Sequence, residues 1–252
     1  MICPKCKFDQ ADRNVECIRC GIIFAKIRPP AERTITSEAD PPPPIATHGG
    51  QHFNRVAWAK DLLLFVEPKV NPFFLLGRAI VFVLLLIWGW KFMLAPMETN
   101  YVGESFMHNI NLPFHEAGHI IFSPFGRFLT VLGGTLGQLL MPFICLCAFL
   151  IKNRDPFGAS VGLWWVGQNF MDIAPYINDA RALDLILLGG VTGKDVEDYH
   201  DWENILGTLG WLQYDHAIAQ ASYRLGIFLM VVAFIWGGYI LSLQFKHRES
   251  FS

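Results

Sequence analysis

The sequence predicts an all-α polytopic membrane protein of about 4–6 transmembrane or re-entrant helices behind a small cysteine-rich amino-terminal module. Three observations carry this. The apolar residues, 52% of the 252, gather in long runs, and mean hydropathy is +0.33. Charged residues make up only 17%, where a soluble domain carries about a quarter. Four of the six cysteines fall within the first 20 residues, in metal-ligand spacing. Such a composition excludes an ordinary cytosolic enzyme and a chain disordered throughout. A net charge of −2 gives no overall attraction to nucleic acid, and no nucleic-acid partner is expected.

Residues 1–27 hold two C-x2-C pairs, Cys3 with Cys6 and Cys17 with Cys20. Each such turn sets two thiolates on one side of a tight loop, and two turns complete a tetrahedral four-thiolate Zn2+ site with no open position. The expected cofactor is therefore one structural zinc in a zinc ribbon; two disulfides or free thiols are the alternatives. Thiolate zinc requires a reducing compartment, which puts the amino terminus in the cytoplasm. The first 24 residues are polar where a secretory leader would be apolar, so none is expected. Lys5, Lys7, Arg13 and Arg19 are balanced by Asp9, Asp12 and Glu16, so the expected partner of this head is a protein, as yet unknown.

Residues 28–52 contain Pro29, Pro30, the run Pro41 to Pro44 and Gly49-Gly50, which read as a semi-extended linker. Apolar content resumes over 53–66 with interspersed charges, as in a helix lying on the bilayer surface. From there, residues 53–252 form the membrane-embedded part. Phe73 to Trp90, Phe128 to Ile151 and Leu225 to Phe245 are each close to or above the ~20 residues that cross a ~30 Å hydrocarbon core. Gly158 to Asn178 is a fourth candidate, carrying Gln168, Asn169 and Asp172. Between the first two runs, Ser105 to Gly126 either crosses or dips in and returns. Four crossings place Lys152, Arg154, Lys246 and Arg248 on the cytoplasmic side, as the positive-inside bias favours; five place the carboxyl terminus outside. Gly133, Gly134 and Gly137 permit close approach of a neighbouring segment.

His115-Glu116-Ala117-Gly118-His119 is an H-E-x-x-H motif, with Asn111 and Pro113 marking the start of its helix. Residues i and i+4 share a helix face, so both imidazoles reach one Zn2+, with Glu116 beside them as the general base. Two histidines and a carboxylate in an apolar segment are costly unless they serve a function. A catalytic zinc needs a third protein ligand and keeps its fourth place for water. Asp172 and Asp179 both follow in the fourth apolar stretch, and Gln168 or Asn169 offers an amide to a substrate. The segment Lys194 to Glu203 reads as a solvated loop, although His200 or Asp201 within it is a further candidate ligand or gate residue. Asp184, His108 and His216 read as structural.

These motifs resemble the site-2 protease family of intramembrane zinc metalloproteases, over roughly residues 105–180. The similarity lies in H-E-x-x-H in one apolar segment and Asn, Pro and Asp in a later one; the family's L-D-G stands here as Asn178-Asp179-Ala180. The resemblance implies Asp179 as the third ligand of the catalytic zinc, Asn169 as the substrate-positioning amide and Glu116 as the base. It further implies hydrolysis of peptide bonds in membrane-spanning protein substrates, in a bacterial inner membrane. The rival expectation is a non-proteolytic zinc-binding membrane protein serving assembly or sensing.

Overall fold

Helix dominates because the apolar runs leave their backbone no other way to satisfy its own polar groups away from water. In a computed structural model the described residues are 2, 3, 8, 9, 15–17, 22–24 and 55–248. The chain divides into two units, Met1–His52 and Phe53–Ser252.

In the first unit, Ile2 bridges Asp9 and Glu16 bridges Ile23, both antiparallel. The Cys3 amide donates to the Phe8 carbonyl and the Cys17 amide to that of Ile22, each at 2.9 Å. The second turn thus repeats the first, with a buried cysteine at its head in both cases. Cys6, Cys20 and the linker expected over 28–52 lie outside the described residues.

The second unit holds α1 (Arg55–Leu64), α2 (Pro72–Leu94), α3 (Phe106–Phe122), α4 (Arg127–Cys147), α5 (Pro156–Asn178), α6 (Asp201–Leu209) and α7 (Asp215–Lys246). The start of α2 is set by Asn71, whose side chain accepts from the Phe73 amide at 2.9 Å, with Pro72 in the first turn. The end of α4 runs on through a π turn, Ala148–Lys152. Three segments are long and apolar enough to cross a membrane: Pro72–Leu94, Arg127–Lys152 and Leu212–Lys246. Much of their apolar surface, including Phe74, Leu84, Phe143 and Phe228, is exposed, which is consistent with a membrane protein.

The 23-residue α5 is the core of this unit. Neighbouring helices bury Gln168, Asn169 and Asp172 and bond the first and the last, while Asn169 bonds to its own helix. The small residues of α5 let those neighbours come close. A Cβ on Gly167 would stand 2.8 Å from the Gly226 carbonyl oxygen of α7, and one on Gly162 would stand 2.8 Å from the Leu146 Cα of α4.

Helix α3 begins at Phe106, not near Asn111, and runs through Pro113. Proline at that point forfeits one backbone hydrogen bond without ending the helix. Its 17 residues span about 25 Å, short of a ~30 Å hydrocarbon core. The chain then reverses through Ser123–Phe125 and Gly126, whose φ of 92° suits glycine, into α4. There the close approach expected of the glycine run takes place, with Gly133, Gly134 and Gly137 packed on Gly118 and the two histidines. The loop expected over Lys194 to Glu203 ends early. His200 is fully buried and Asp201 opens α6.

Candidate metal centre

His115 and His119 lie one turn apart on α3, with ring centroids 4.9 Å apart. Each ring is held through Nδ1 by a residue of α4. His119 donates to the Thr130 carbonyl at 2.8 Å, and His115 lies 3.2 Å from Oε1 of Gln138. The direction of the second bond follows from Gln138 itself. Its Nε2 donates to Oδ2 of Asp172 at 2.8 Å, so its oxygen end faces His115 and must accept. Both imidazoles therefore carry a proton on Nδ1 and turn Nε2 toward the same point.

At that point lies Asp201. Its Oδ2 is 2.9 Å from Nε2 of His115 and 3.3 Å from Nε2 of His119, and the three groups can offer ligand atoms all within 4.8 Å of one another. With Nδ1 protonated on each ring, two nitrogen lone pairs and a carboxylate oxygen converge. Such a convergence repels itself unless a positive charge sits among the three groups, either a proton on a ring or a metal cation. Burial of Asp201 opposes its ionisation, but its bonds to the two histidines outweigh this and hold its carboxyl below the usual range.

The carboxylate arrives from a distant part of the chain because of how α6 starts. His200 caps the helix, its Nδ1 accepting from the Glu203 amide at 3.1 Å. The Asp201 amide donates to the Tyr176 hydroxyl at 2.8 Å. Asp179 joins this assembly from the end of α5. Its carboxylate accepts from the Asp184 and Leu185 amides at 2.9 and 3.0 Å and lies 3.4 Å from Nε2 of His200. Burial would raise its carboxyl, yet His200 and the two amides win and hold it low. Asp179 is thus a brace for His200, and the carboxylate that the structure brings to the two histidines is that of Asp201. Asp179 fails to reach them because the turn after α5 consumes its oxygens.

Asn169 differs from expectation as well. It is fully buried, donates to the Trp165 carbonyl of its own helix at 3.0 Å, and is not among the residues lining the cavity beside the histidines. Asp172 is an organiser instead of a ligand. It accepts from Gln138, from Asn111 at 2.9 Å and from Nδ1 of His108 at 3.1 Å. Asn111 in turn accepts from Trp165 at 2.9 Å and donates to Gln168 at 2.9 Å.

Beside the three groups opens a cavity of about 310 Å3, lined among others by Glu116, His108, Tyr176 and Leu187. Glu116 therefore faces the same space as the histidines, as the motif requires. Comparison with protein-family models, curated proteins and solved structures returns no match.

A signal for Asp201 does exist in the sequence. Asp201 and Glu203 stand just ahead of the apolar pair Ile205-Leu206, and acidic residues in that position mark the first turn of a helix and not a solvated run. The parts of Gln138 and Tyr176 had no such signal, since neither sits in a pattern that announces chemistry.

Proposed function

We propose that this protein is a zinc-dependent intramembrane metalloprotease that hydrolyses peptide bonds of membrane-spanning substrates. The observation that carries the proposal is the convergence of two Nε2 atoms and one carboxylate oxygen, with Glu116 on the wall of the adjoining cavity. Two imidazoles and a carboxylate form a donor set that suits zinc, and the cavity side leaves the position that a catalytic metal needs open. His115, His119 and Asp201 would hold the metal. Hydrogen bonds from their Nδ1 atoms to Gln138 and the Thr130 carbonyl supply the outer support that metal-binding histidines require.

When bound, zinc supplies a Lewis acid that polarises the scissile carbonyl and makes water a stronger acid near neutral pH. The residues of the chain do the rest. Glu116 takes the proton of the attacking water on a carboxylate oxygen and delivers it to the departing amine nitrogen. A membrane-spanning substrate must unwind locally at this centre, because a helix hides its carbonyls in its own hydrogen bonds. The four cysteines Cys3, Cys6, Cys17 and Cys20 would hold a second, structural zinc in a cytoplasmic head that docks a protein partner.

The test is Glu116→Gln in purified, reconstituted protein. Zinc content stays at the wild-type level while hydrolysis falls by at least a hundredfold, the scale expected when a general base is lost. A variant that retains turnover refutes proteolysis at this centre and favours a zinc site used in assembly or sensing.

A further inference from the structure

We infer that the Tyr176 hydroxyl is a further catalytic group, donating a hydrogen bond to the scissile carbonyl oxygen as negative charge builds there, an inference that rests on the hydrolytic function proposed above. Attack on a peptide carbonyl turns its oxygen into an oxyanion, and a donor already aimed at that oxygen is worth more than one that must reorient. The side-chain amides nearby are engaged or stand off the cavity wall. Asn169 bonds to its own helix, and the Asn111 and Gln138 amides donate to Gln168 or Asp172. Gln168, whose Nε2 has no partner among the described residues, does not line the cavity. His108, also on the cavity wall, gives its Nδ1 proton to Asp172 and stands two helical turns, about 10 Å, along α3 from His115.

Tyr176 is placed differently. Its oxygen accepts the Asp201 amide proton at 2.8 Å, which uses one lone pair and fixes the phenol. The hydroxyl proton itself goes to no acceptor among the described residues. The ring is wedged between His200, at 4.3 Å between centroids, and His115, at 6.3 Å, so it cannot swing away. With the amide on one side, the O–H is left to point into the cavity that Tyr176 lines with Glu116, His115, His119 and Asp201. The amide it accepts belongs to the residue whose carboxylate meets both Nε2 atoms, so the hydroxyl stands within one residue's reach of the reacting carbonyl. No bond is made or broken by Tyr176. It keeps its proton and shares it with the oxyanion.

The experiment compares wild type, Tyr176→Phe and Glu116→Gln in the full-length protein, with labelled casein as an unfolded substrate that needs no unwinding. Three quantities are read: zinc per protein, kcat and KM separately, and affinity for a phosphinic pseudopeptide, whose tetrahedral P–O− group copies the oxyanion. Tyr176→Phe retains zinc and a KM within about twofold, loses kcat by about 10²–10³, and binds the phosphinic probe more weakly by a similar factor. Unchanged kcat and probe affinity overturn the inference. Zinc lost in step with kcat also overturns it, leaving Tyr176 as a tether for α6 alone. If wild type holds no zinc at this centre, or Glu116→Gln is fully active, the hydrolytic function itself fails. If wild type and Glu116→Gln behave as expected and Tyr176→Phe turns over normally, only the role of Tyr176 fails.

Discussion

Gly134→Ala adds a single methyl group, and the structure dictates where it goes. A Cβ at that position would lie 2.5 Å from Nε2 of His115 and 2.6 Å from Nε2 of His119, the two atoms that would hold the metal. Ordinary contact begins near 3.4 Å, so the rings and the methyl must part by about 0.9 Å, several times the ~0.2 Å tolerance of a metal–ligand distance. Retreat is blocked, because both rings are bound through Nδ1 to Thr130 and Gln138, which flank Gly134 one turn away on the same helix. Relief requires α3 and α4 to separate and those two bonds to lengthen. Overpacking of this kind costs about 1–3 kcal/mol of stability. Loss of the supporting bonds weakens metal binding by about 10–100-fold. Zinc analysis of the full-length protein should therefore drop from two equivalents toward one at limiting metal, with turnover falling in parallel. Gly207→Ala is the control, since nothing lies within 4 Å of its added Cβ. A Gly134→Ala protein with two zinc equivalents and wild-type turnover would refute the placement of the metal between these imidazoles.

Three further outcomes are expected. Asp201→Ala removes the membrane-site zinc, whereas Asp179→Asn keeps it with affinity reduced by about tenfold, because only the brace on His200 loosens; equilibrium zinc titration of the protein truncated before Phe53 separates the two, and the reverse order would restore Asp179 as ligand. Asp172→Asn frees the Gln138 amide to flip and weakens zinc binding by about 10–100-fold without abolishing it, read by competition with a chelator. Cys17→Ser removes one zinc equivalent and leaves the helical melting transition of residues 53–252 unchanged; a shift in that transition would mean the head supports the membrane part.

The helical architecture, the three long apolar helices and the pairing of His115 with His119 were legible because each depends on local pattern: run length, charge scarcity and i, i+4 spacing. The glycine run on α4 was legible as an approach site for the same reason. The third carboxylate was not, since the choice among Asp172, Asp179 and Asp201 depends on which oxygens are already spent. Asp172 is spent on Gln138, Asn111 and His108, and Asp179 on the Asp184 and Leu185 amides, leaving Asp201 free to face the imidazoles. The charge density of 194–203 suggested solvent, but its final residues are the capping turn of α6, with His200 fully buried and Asp201 to Glu203 half-buried. Asn169 misled because a buried amide can turn its donor onto its own helix, as Nδ2 does to the Trp165 carbonyl.

The bond between His115 and Asp201 joins residues 86 apart in sequence. During synthesis the H-E-x-x-H helix therefore emerges well before the carboxylate that meets its two imidazoles exists. Two imidazoles alone hold a metal weakly, so the nascent chain lacks the full donor set until its later helices are made. The three groups come together only when α5 has been threaded beside α3 and α4 and the turn after it has delivered α6. In this way the order of translation would keep the proposed metal centre incomplete until α6 has been made and docked.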